Sequence, residues 1–452
     1  MSTIAAISSP IGAGGIGIVR VSGEDALKIA DAIFNFAHAT TKDDERNTRQ
    51  IWRPLYMNFG TFDAGDFKDV GYAVYFPAKN AYTGEDTVEF YLHGGVRIMR
   101  GALDALLAGG AVMAKNGEFT KRAFLNGRLS LADAEGVIDM INAESAAGLR
   151  AAYRLMEGDV AKRINAILER LEVFMATIEA TLDYPDEMED EVLPSLEDNI
   201  KDILTKVEDL IATAKNGKIA KYGLTVALAG NPNAGKSSIM NALLKDNRAI
   251  VTPIAGTTRD TVEDSLEYDG VKINLVDTAG IRESSDIVES EGVERAKRAI
   301  ESADVVLHII DATSSEKDDI DLAGKLVFDV YNKCDLLPQS KINTLKAKTN
   351  EREAFFVSAK TGEGIENIAQ NVAALFKENK VDGGELITST RHIAALYQAK
   401  TALESAFVSK DATLDVLLID LSNAYNALGE ITGKTATESV VDSIFSRFCV
   451  GK

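Results

Sequence analysis

No stretch limits the fold of this chain more than residues 223–238, GLTVALAGNPNAGKSS. An apolar run, a glycine-bearing loop and a helix start follow one another there, which reads as strand, loop and helix. Gly230, Gly235, Lys236 and Ser237 fill the pattern G-x-x-x-x-G-K-[ST]. The glycines let backbone N–H groups turn inward around phosphate oxygens. Lys236 can then reach the outer phosphates, and the Ser237 hydroxyl can ligate magnesium. A chance glycine-rich turn is the bland alternative, and the flanking strand and helix argue against it. Residues 222–380 continue the alternation, with LTVALAG, KINLVDTAG, DVVLHIID, LVFDVYNK and AFFVSA separated by helical segments. That is the doubly wound α/β pattern.

Four further segments make the nucleotide specific. The second apolar run ends in Asp277-Thr278-Ala279-Gly280. An aspartate at a strand end can hold magnesium through water, and the glycine N–H can sense the third phosphate. Between it and the phosphate loop lies Gly256-Thr257-Thr258-Arg259-Asp260, in which a threonine hydroxyl can join the magnesium shell only while the third phosphate is present. Asn332-Lys333-Cys334-Asp335 follows another strand-like run. Asp335 can accept two hydrogen bonds from guanine, a pair that adenine does not offer, and such a site rejects the wrong base by roughly 10⁴–10⁵. Ser358-Ala359-Lys360 matches a supporting loop under the base, and Cys334 reads as a spacer rather than a nucleophile. The nucleotide is thus expected against Asn233, Ala234, Gly235, Lys236, Ser237 and Ser238. The loop Thr252, Pro253, Ile254, Ala255, Gly256, Thr257 and Thr258 is expected beside it. Ile281 stands where Ras-type proteins place a water-orienting Gln, so another polar group must do that; Glu283 and Glu289 are the nearest carboxylates.

A length of 452 residues calls for two or three domains. Residues 1–120 mix short strands (IGIVRVSG, VGYAVYFP, TVEFYLHGG) with turns and read as α+β. Residues 121–217 have helical spacing, and helical texture returns over 385–452. The expected architecture is a multidomain α+β and α/β chain: an N-terminal α+β domain at 1–120, a helical domain split into 121–217 and 385–452, and a P-loop domain at 218–384 inserted into it. Between DATSS and NKCD the chain looks too short for a full helix and strand, so a reduced helix is expected there.

Other features narrow the class. The net charge of −20 does not suit a general nucleic-acid coat; Arg97, Arg100, Lys115, Lys121, Arg122 and Arg128, against only Asp104 and Glu118, read equally as a local basic cluster or as an ordinary mixed surface. The acidic run from Asp183 to Glu191 reads as a solvated turn, not a metal site. Two cysteines make no disulfide framework. No long apolar run suggests a membrane span and MSTIAAISSPIG is not a secretory signal, so a cytoplasmic protein is expected. Gly12 to Gly17 match G-x-G-x-x-G literally, but a strand-like IVRVS follows where a dinucleotide site needs a helix. A glycine-rich turn is the better reading. His93, in YLHGG, reads as a turn histidine bonded to backbone; His38, His308 and His392 read as structural.

The motifs together resemble one family, the tRNA-modification GTPases MnmE (TrmE). The resemblance covers nearly the whole chain. Its marks are PIGAGGIGIVRVSG, AYTGEDTVEFYLHGG, GEFTKRAFLNGRLSLADAEGVIDMI, GNPNAGKSSIMNAL, TPIAGTTRD, DTAGIRESSDIVESEGVERA and the ending FCVGK. The resemblance implies a potassium-activated GTPase that adds an aminomethyl or carboxymethylaminomethyl group to carbon 5 of the wobble uridine of certain tRNAs. It implies a homodimer through an N-terminal domain that binds a methylene- or formyl-tetrahydrofolate donor. It also implies a heterotetramer with the flavin- and NADH-dependent partner MnmG. Arg20, Glu89, Arg128 and Lys452 match folate-site positions, with Arg128 often a lysine in relatives. Asn233, Thr252, Ile254 and Thr257 match the potassium site, Ser237 and Thr258 the magnesium ligands. Glu289 matches the carboxylate that orients the attacking water, filling the gap left by Ile281. Cys449, in FCVGK, reads as a thiol acting near the folate site, against the bland reading of a small packed residue. A potassium ion against the phosphates can do the electrostatic work of an arginine finger. The competing reading is a GTP-dependent ribosome-assembly switch with RNA-binding flanking domains, which has no reason to carry FCVGK or the TGED and FLNGR segments.

Overall fold

The computed structural model describes residues 1–37, 52–186, 195–246, 248–249, 264–277, 289–314, 320, 322–347, 349, 353–378, 386–409 and 413–452. The chain forms two compact units: residues 1–138, 155–193 and 411–452 in one, 139–154 and 194–410 in the other.

The first unit is built on a seven-stranded sheet. Its strands are β1 (Ile4–Ile7), β2 (Gly14–Ser22), β3 (Phe34–Phe36), β4 (Asn58–Asp63), β5 (Lys68–Phe76), β6 (Thr87–Gly94) and β7 (Val112–Met113), in the order β3-β4-β5-β6-β2-β1-β7. All pairings are antiparallel except β1 with β7. Burial alternates along β5 and β4, so one face of each strand turns to the core. Helices α1 (Ala26–Ile33) and α2 (Val96–Ala108) cover that face, around Phe34, Phe62 and Phe90. The rejection of a dinucleotide fingerprint stands, but Gly14 to Gly17 do not form only a turn. They already belong to β2, Gly14 opposite Gly94 and Gly17 opposite Leu92, with a register shift between them.

Helices α3 (Glu118–Leu125), α4 (Leu131–Ile141), α5 (Ala146–Met156) and α6 (Asp159–Asp183) follow. The α6 sequence buries Val160, Ile164, Leu168, Leu171 and Ile178, a helical stripe. Residues 187–191 of the acidic run lie outside the described residues.

In the second unit, α7 (Leu196–Ala212) and α8 (Ala214–Tyr222) lead into β8 (Leu224–Ala229), followed by α9 (Lys236–Asp246), β9 (Arg248–Ala249), β10 (Asp264–Tyr268), β11 (Val271–Asp277) and α10 (Glu289–Ser302). Next come β12 (Val305–Asp311), β13 (Val327–Asn332), α11 (Gln339–Lys346), β14 (Ala354–Phe356), α12 (Ile365–Glu378) and α13 (Thr390–Val408). The sheet order is β14-β13-β12-β8-β11-β10-β9, parallel from β14 to β11. Strands β8 and β12 are almost wholly buried, as expected of parallel strands covered on both faces. Among the described residues no helix separates β12 from β13, in line with the expected reduction. The chain then returns to the first unit as α14 (Leu414–Thr432) and α15 (Glu438–Phe445). Val441, Ile444, Phe445 and Phe448 there pack on Leu131 and Ala134 of α4.

The architecture is thus a mixed α and β chain with an N-terminal sheet, a set of long helices and a P-loop-type parallel sheet. Among the described residues, no helix is long and apolar enough to cross a membrane.

Candidate functional site

Strand β8 lies between β11 and β12, so the chain leaves the sheet to either side of it. A crevice opens at the carboxyl ends of strands at such a switch point. The glycine-rich loop starts there. Gly230, Asn233 and Gly235 have φ of 146°, 66° and 99°. Gly235 admits no side chain, since a Cβ would lie 2.2 Å from Asn332 Nδ2. The loop carbonyls are held by side chains of the motif itself and of the NKCD segment. Lys236 Nζ donates to Gly230 O at 2.7 Å and to Asn231 O at 3.0 Å; Asn332 Nδ2 donates to Ala234 O at 3.0 Å; Lys333 Nζ donates to Asn233 O at 2.8 Å. The first helical bond of α9 runs from Ile239 N to Gly235 O, so the anion-binding end of that helix begins in this loop.

The expected magnesium residues meet. Ser237 Oγ donates to Asp277 Oδ2 at 2.9 Å, although 40 positions separate them. A hydroxyl and a carboxylate oxygen converging on one point form a hard-oxygen donor set suited to magnesium. The residues expected around the base are equally tied. The buried Asn332 accepts from Ala359 N at 3.1 Å, and Ser358 Oγ donates to Asp335 Oδ1 at 2.7 Å. Cys334 is buried, its thiol donating to Tyr331 O at 3.3 Å, and burial pushes that thiol up, away from the nucleophilic thiolate. These residues enclose a cavity of ≈ 820 Å³ lined by Asn233, Gly235, Lys236, Ser237, Ser238, Asn332, Lys333, Asp335, Ala359 and Lys360. A cavity of that size falls in the range of small-molecule sites.

Sequence reasoning missed Pro232 and Leu336, which also line the cavity, and Asp311. Asp311 ends β12, and its Oδ2 accepts from Lys333 Nζ at 2.6 Å. Burial works to raise its carboxyl, but the hydrogen bonds from Lys333 and Thr313 prevail and hold it below the usual carboxylate range. Its signal in the sequence was a second strand-end aspartate, in LHIID, parallel to Asp277.

Thr252, Pro253, Ile254, Ala255, Gly256, Thr257, Thr258, Thr278, Ala279, Gly280, Ile281 and Glu283 lie outside the described residues. Glu289 opens α10, and its side chain is likewise outside the description.

A second cavity, of ≈ 470 Å³, lies in the first unit. Arg20, Tyr82, Thr83, Glu89, Arg128 and Asp133 are among its lining residues. Arg20 and Glu89 face each other across β2 and β6. Arg20 Nε and Nη2 each lie 2.7 Å from Glu89 Oε1, and Tyr91 OH donates to Glu89 Oε2 at 2.7 Å. Burial, then the bond to Glu89, pushes the Tyr91 phenol up to about 12. The Arg20 guanidinium also stands 5.3 Å from the centre of the Phe119 ring. Arg128 Nη2 donates to Lys79 O at 3.0 Å. Nearby, the buried Arg122 joins Glu85 of the TGED loop, at 2.9 Å, to Glu118 of α3, at 2.8 Å.

The FCVGK ending is part of this structure. Val450 bridges Asn116, Gly117 N donates to Cys449 O at 3.3 Å, and Phe119 N donates to Lys452 O at 3.2 Å. Arg20 Nη1 donates to Gly451 O at 3.4 Å. Gly451 has φ 94°, and a Cβ there would lie 2.2 Å from Ile7 O. The structure thus brings Arg20, Glu89 and Arg128 to one cavity. Lys452 is tied to the Phe119 backbone, and neither it nor the exposed Cys449 is among the lining residues. His93 corrects the expectation of a backbone-bonded turn residue. It lies in β6, and its Nδ1 pairs with Asp69 Oδ1 at 2.6 Å because the buried Asp69 sits beside it on β5. His308 pairs with Asp329, and His392 is fully buried.

Comparison with known proteins came to the same regions. The model of the MnmE helical domain matches residues 131–449, and that of the GTP-binding protein TrmE N-terminus matches residues 3–128. A tRNA modification GTPase MnmE of Caldicellulosiruptor saccharolyticus is 39% identical, covering 100% of this chain and 99% of that protein. The proteins of the same description from Shouchella clausii and Aquifex aeolicus are each 38% identical, covering 100% and 99% of this chain and 100% and 99% of theirs.

Proposed function

This chain belongs to the MnmE (TrmE) family of tRNA modification GTPases, and from that premise we propose how its two cavities divide the labour. The chain is a GTP hydrolase involved in tRNA modification. In our reading it is potassium-activated and, with the flavin- and NADH-dependent MnmG, adds an aminomethyl or carboxymethylaminomethyl group to carbon 5 of the wobble uridine of certain tRNAs. The observation that carries the GTPase half is the meeting of Ser237 with Asp277, where Ser237 lines the same cavity as Asp335, itself held by Ser358.

In that site Lys236 and the N-terminal end of α9 bind the phosphate chain, and Asp335 selects guanine. Magnesium would be held by Ser237 and Thr258, and potassium by Asn233, Thr252, Ile254 and Thr257; the cations supply charge stabilisation to the transferring phosphoryl group. Glu289 orients the attacking water in this reading. Supporting the potassium assignment, Asn233 lines the cavity from a left-handed backbone conformation.

The cavity around Arg20, Glu89 and Arg128 would take the tetrahydrofolate donor. An arginine–carboxylate pair and a second arginine suit a ligand with a polar ring and carboxylates. Cys449 and Lys452 lie at the chain end docked beside Arg20, which supports a role for that end near the donor. We read the domains as 1–120, 121–217 with 385–452, and 218–384, the protein as a cytoplasmic homodimer, and the working complex as a heterotetramer with MnmG.

Nucleoside analysis of tRNA from a deletion strain tests the whole reading. The modified wobble uridines should vanish, and return with the wild-type gene; unmodified nucleoside content identical to wild type would overturn it. Hydrolysis measured in potassium and in sodium tests the ion, with faster turnover expected in potassium.

A further inference from the structure

We propose that Asp311 is a positioning residue of the nucleotide site, acting by holding Lys333 against the phosphate loop. The inference rests on reading that loop and the NKCD segment as a guanine-nucleotide site.

Two successive residues of the NKCD segment grip two successive carbonyls of the phosphate loop. Asn332 reaches Ala234 O, and Lys333 reaches Asn233 O. The two grips are not equally secure. Asn332 is buried, and its other amide atom is fixed by Ala359 N. Lys333 has a flexible four-carbon stem, a side chain 33% exposed and a backbone φ of 64°, a conformation that lysine seldom adopts. Left alone, such a side chain samples many rotamers in water.

Asp311 removes that freedom. The β12–β13 register sets Asp311 opposite Asn332, and Ala312 N donates to Asn332 O at 3.0 Å, so the sheet itself delivers the carboxylate beside the motif. Asp311 Oδ2 takes the Lys333 ammonium at 2.6 Å. Its Oδ1 is anchored by Thr313, through the backbone N at 2.9 Å and Oγ1 at 2.6 Å. The result is a chain of contacts from Thr313 through Asp311 and Lys333 to the backbone of Asn233. Asp311 is not among the residues lining the cavity, so it touches the nucleotide only through Lys333. A lysine already pinned before binding loses less freedom when the nucleotide arrives, and it keeps the loop closed over the ligand afterwards. The expected signature is therefore in the release rate.

Release of a fluorescent GDP analogue from the full chain tests this. Asp311→Asn keeps the size of the side chain and the acceptor for Thr313 but loses the charge. It should speed release roughly three- to tenfold, the range for one partly exposed charge-assisted bond. Lys333→Ala should also speed release, and adding Asp311→Asn to it should change nothing more. An unchanged rate in Asp311→Asn overturns the proposal. So does an equal acceleration in both backgrounds, which would assign Asp311 to the turn with Thr313 alone. A wild-type chain that fails to bind the GDP analogue overturns instead the reading of the site.

Discussion

The two cavities are built on opposite principles. In the parallel sheet, the described groups that line the cavity come from strand ends and the loops that follow them: the loop after β8, Asn332 to Asp335 at and beyond the end of β13, and Ala359 after β14, with Asp277 at the end of β11 bonded to Ser237. In the antiparallel sheet, Arg20 and Glu89 sit within β2 and β6, opposite one another in register, and their other partners come from α3 and the chain end. The first arrangement uses short contiguous motifs whose backbone does much of the binding. The second uses single side chains whose meaning depends on strand pairing. A parallel sheet collects loops at one edge because all its strands point the same way; an antiparallel sheet splits its loops between two edges and must recruit side chains from its faces.

Substitutions can break or sharpen this contrast. Asp335→Asn should exchange guanine for xanthine preference, a change of roughly 10⁴ in selectivity, read by competition between the two nucleotides. Retained guanine preference would detach Asp335 from the base. Gly235→Ala attacks the backbone instead. Its Cβ would lie 2.2 Å from Asn332 Nδ2, at φ 99°. GDP affinity should fall roughly a hundredfold, the cost of a strained conformation, with the N-terminal cavity untouched. Calorimetric titration with GDP and with a tetrahydrofolate would separate the two sites.

The N-terminal cavity should respond through stability as well as binding. Glu89→Ala leaves Arg20 without its carboxylate, in a pair whose side chains are 17% and 13% exposed. We expect a loss of about 2 kcal/mol in denaturant unfolding, below the value for a fully buried pair, together with weaker tetrahydrofolate binding. An unfolding midpoint equal to wild type would mean that the pair serves the ligand alone. Tyr91 gives the smallest and most selective effect. Its phenol is raised in the folded state from 10.0 to about 12, so the folded chain holds that proton longer than the unfolded one. The stabilisation is complete below the unfolded value and is lost as pH rises through the folded one, between about 10 and 12. Tyr91→Phe should flatten that part of the stability profile, measured by unfolding at successive alkaline pH values.

Much of the nucleotide site was legible because its spacing is local. Gly230 to Ser237 declare strand, loop and helix within sixteen residues of text, 223–238, and NKCD and SAK each follow an apolar run. Asp311 is not legible in the sequence, because a strand-end aspartate has no meaning until the β12–β13 register places it opposite Asn332. His93 was misassigned for the same reason. YLHGG suggests a turn, whereas His93 lies in β6 and Asp69 of β5 meets its ring. Arg20, Glu89 and Arg128 carried no pattern of their own and were found through family resemblance.

By itself, then, the sequence determined the class of the second unit, the identity of the base and the phosphate cradle, since each depends on short runs of adjacent residue types, through the backbone for the cradle and through the Asp335 carboxylate for the base. Only the tertiary structure decided which distant groups meet. Ser237 with Asp277, Lys333 with Asp311, and Arg20 with both Glu89 and the docked chain end are matters of strand register and packing. Register is a cooperative outcome of the whole sheet, and no local stretch of residues encodes it alone.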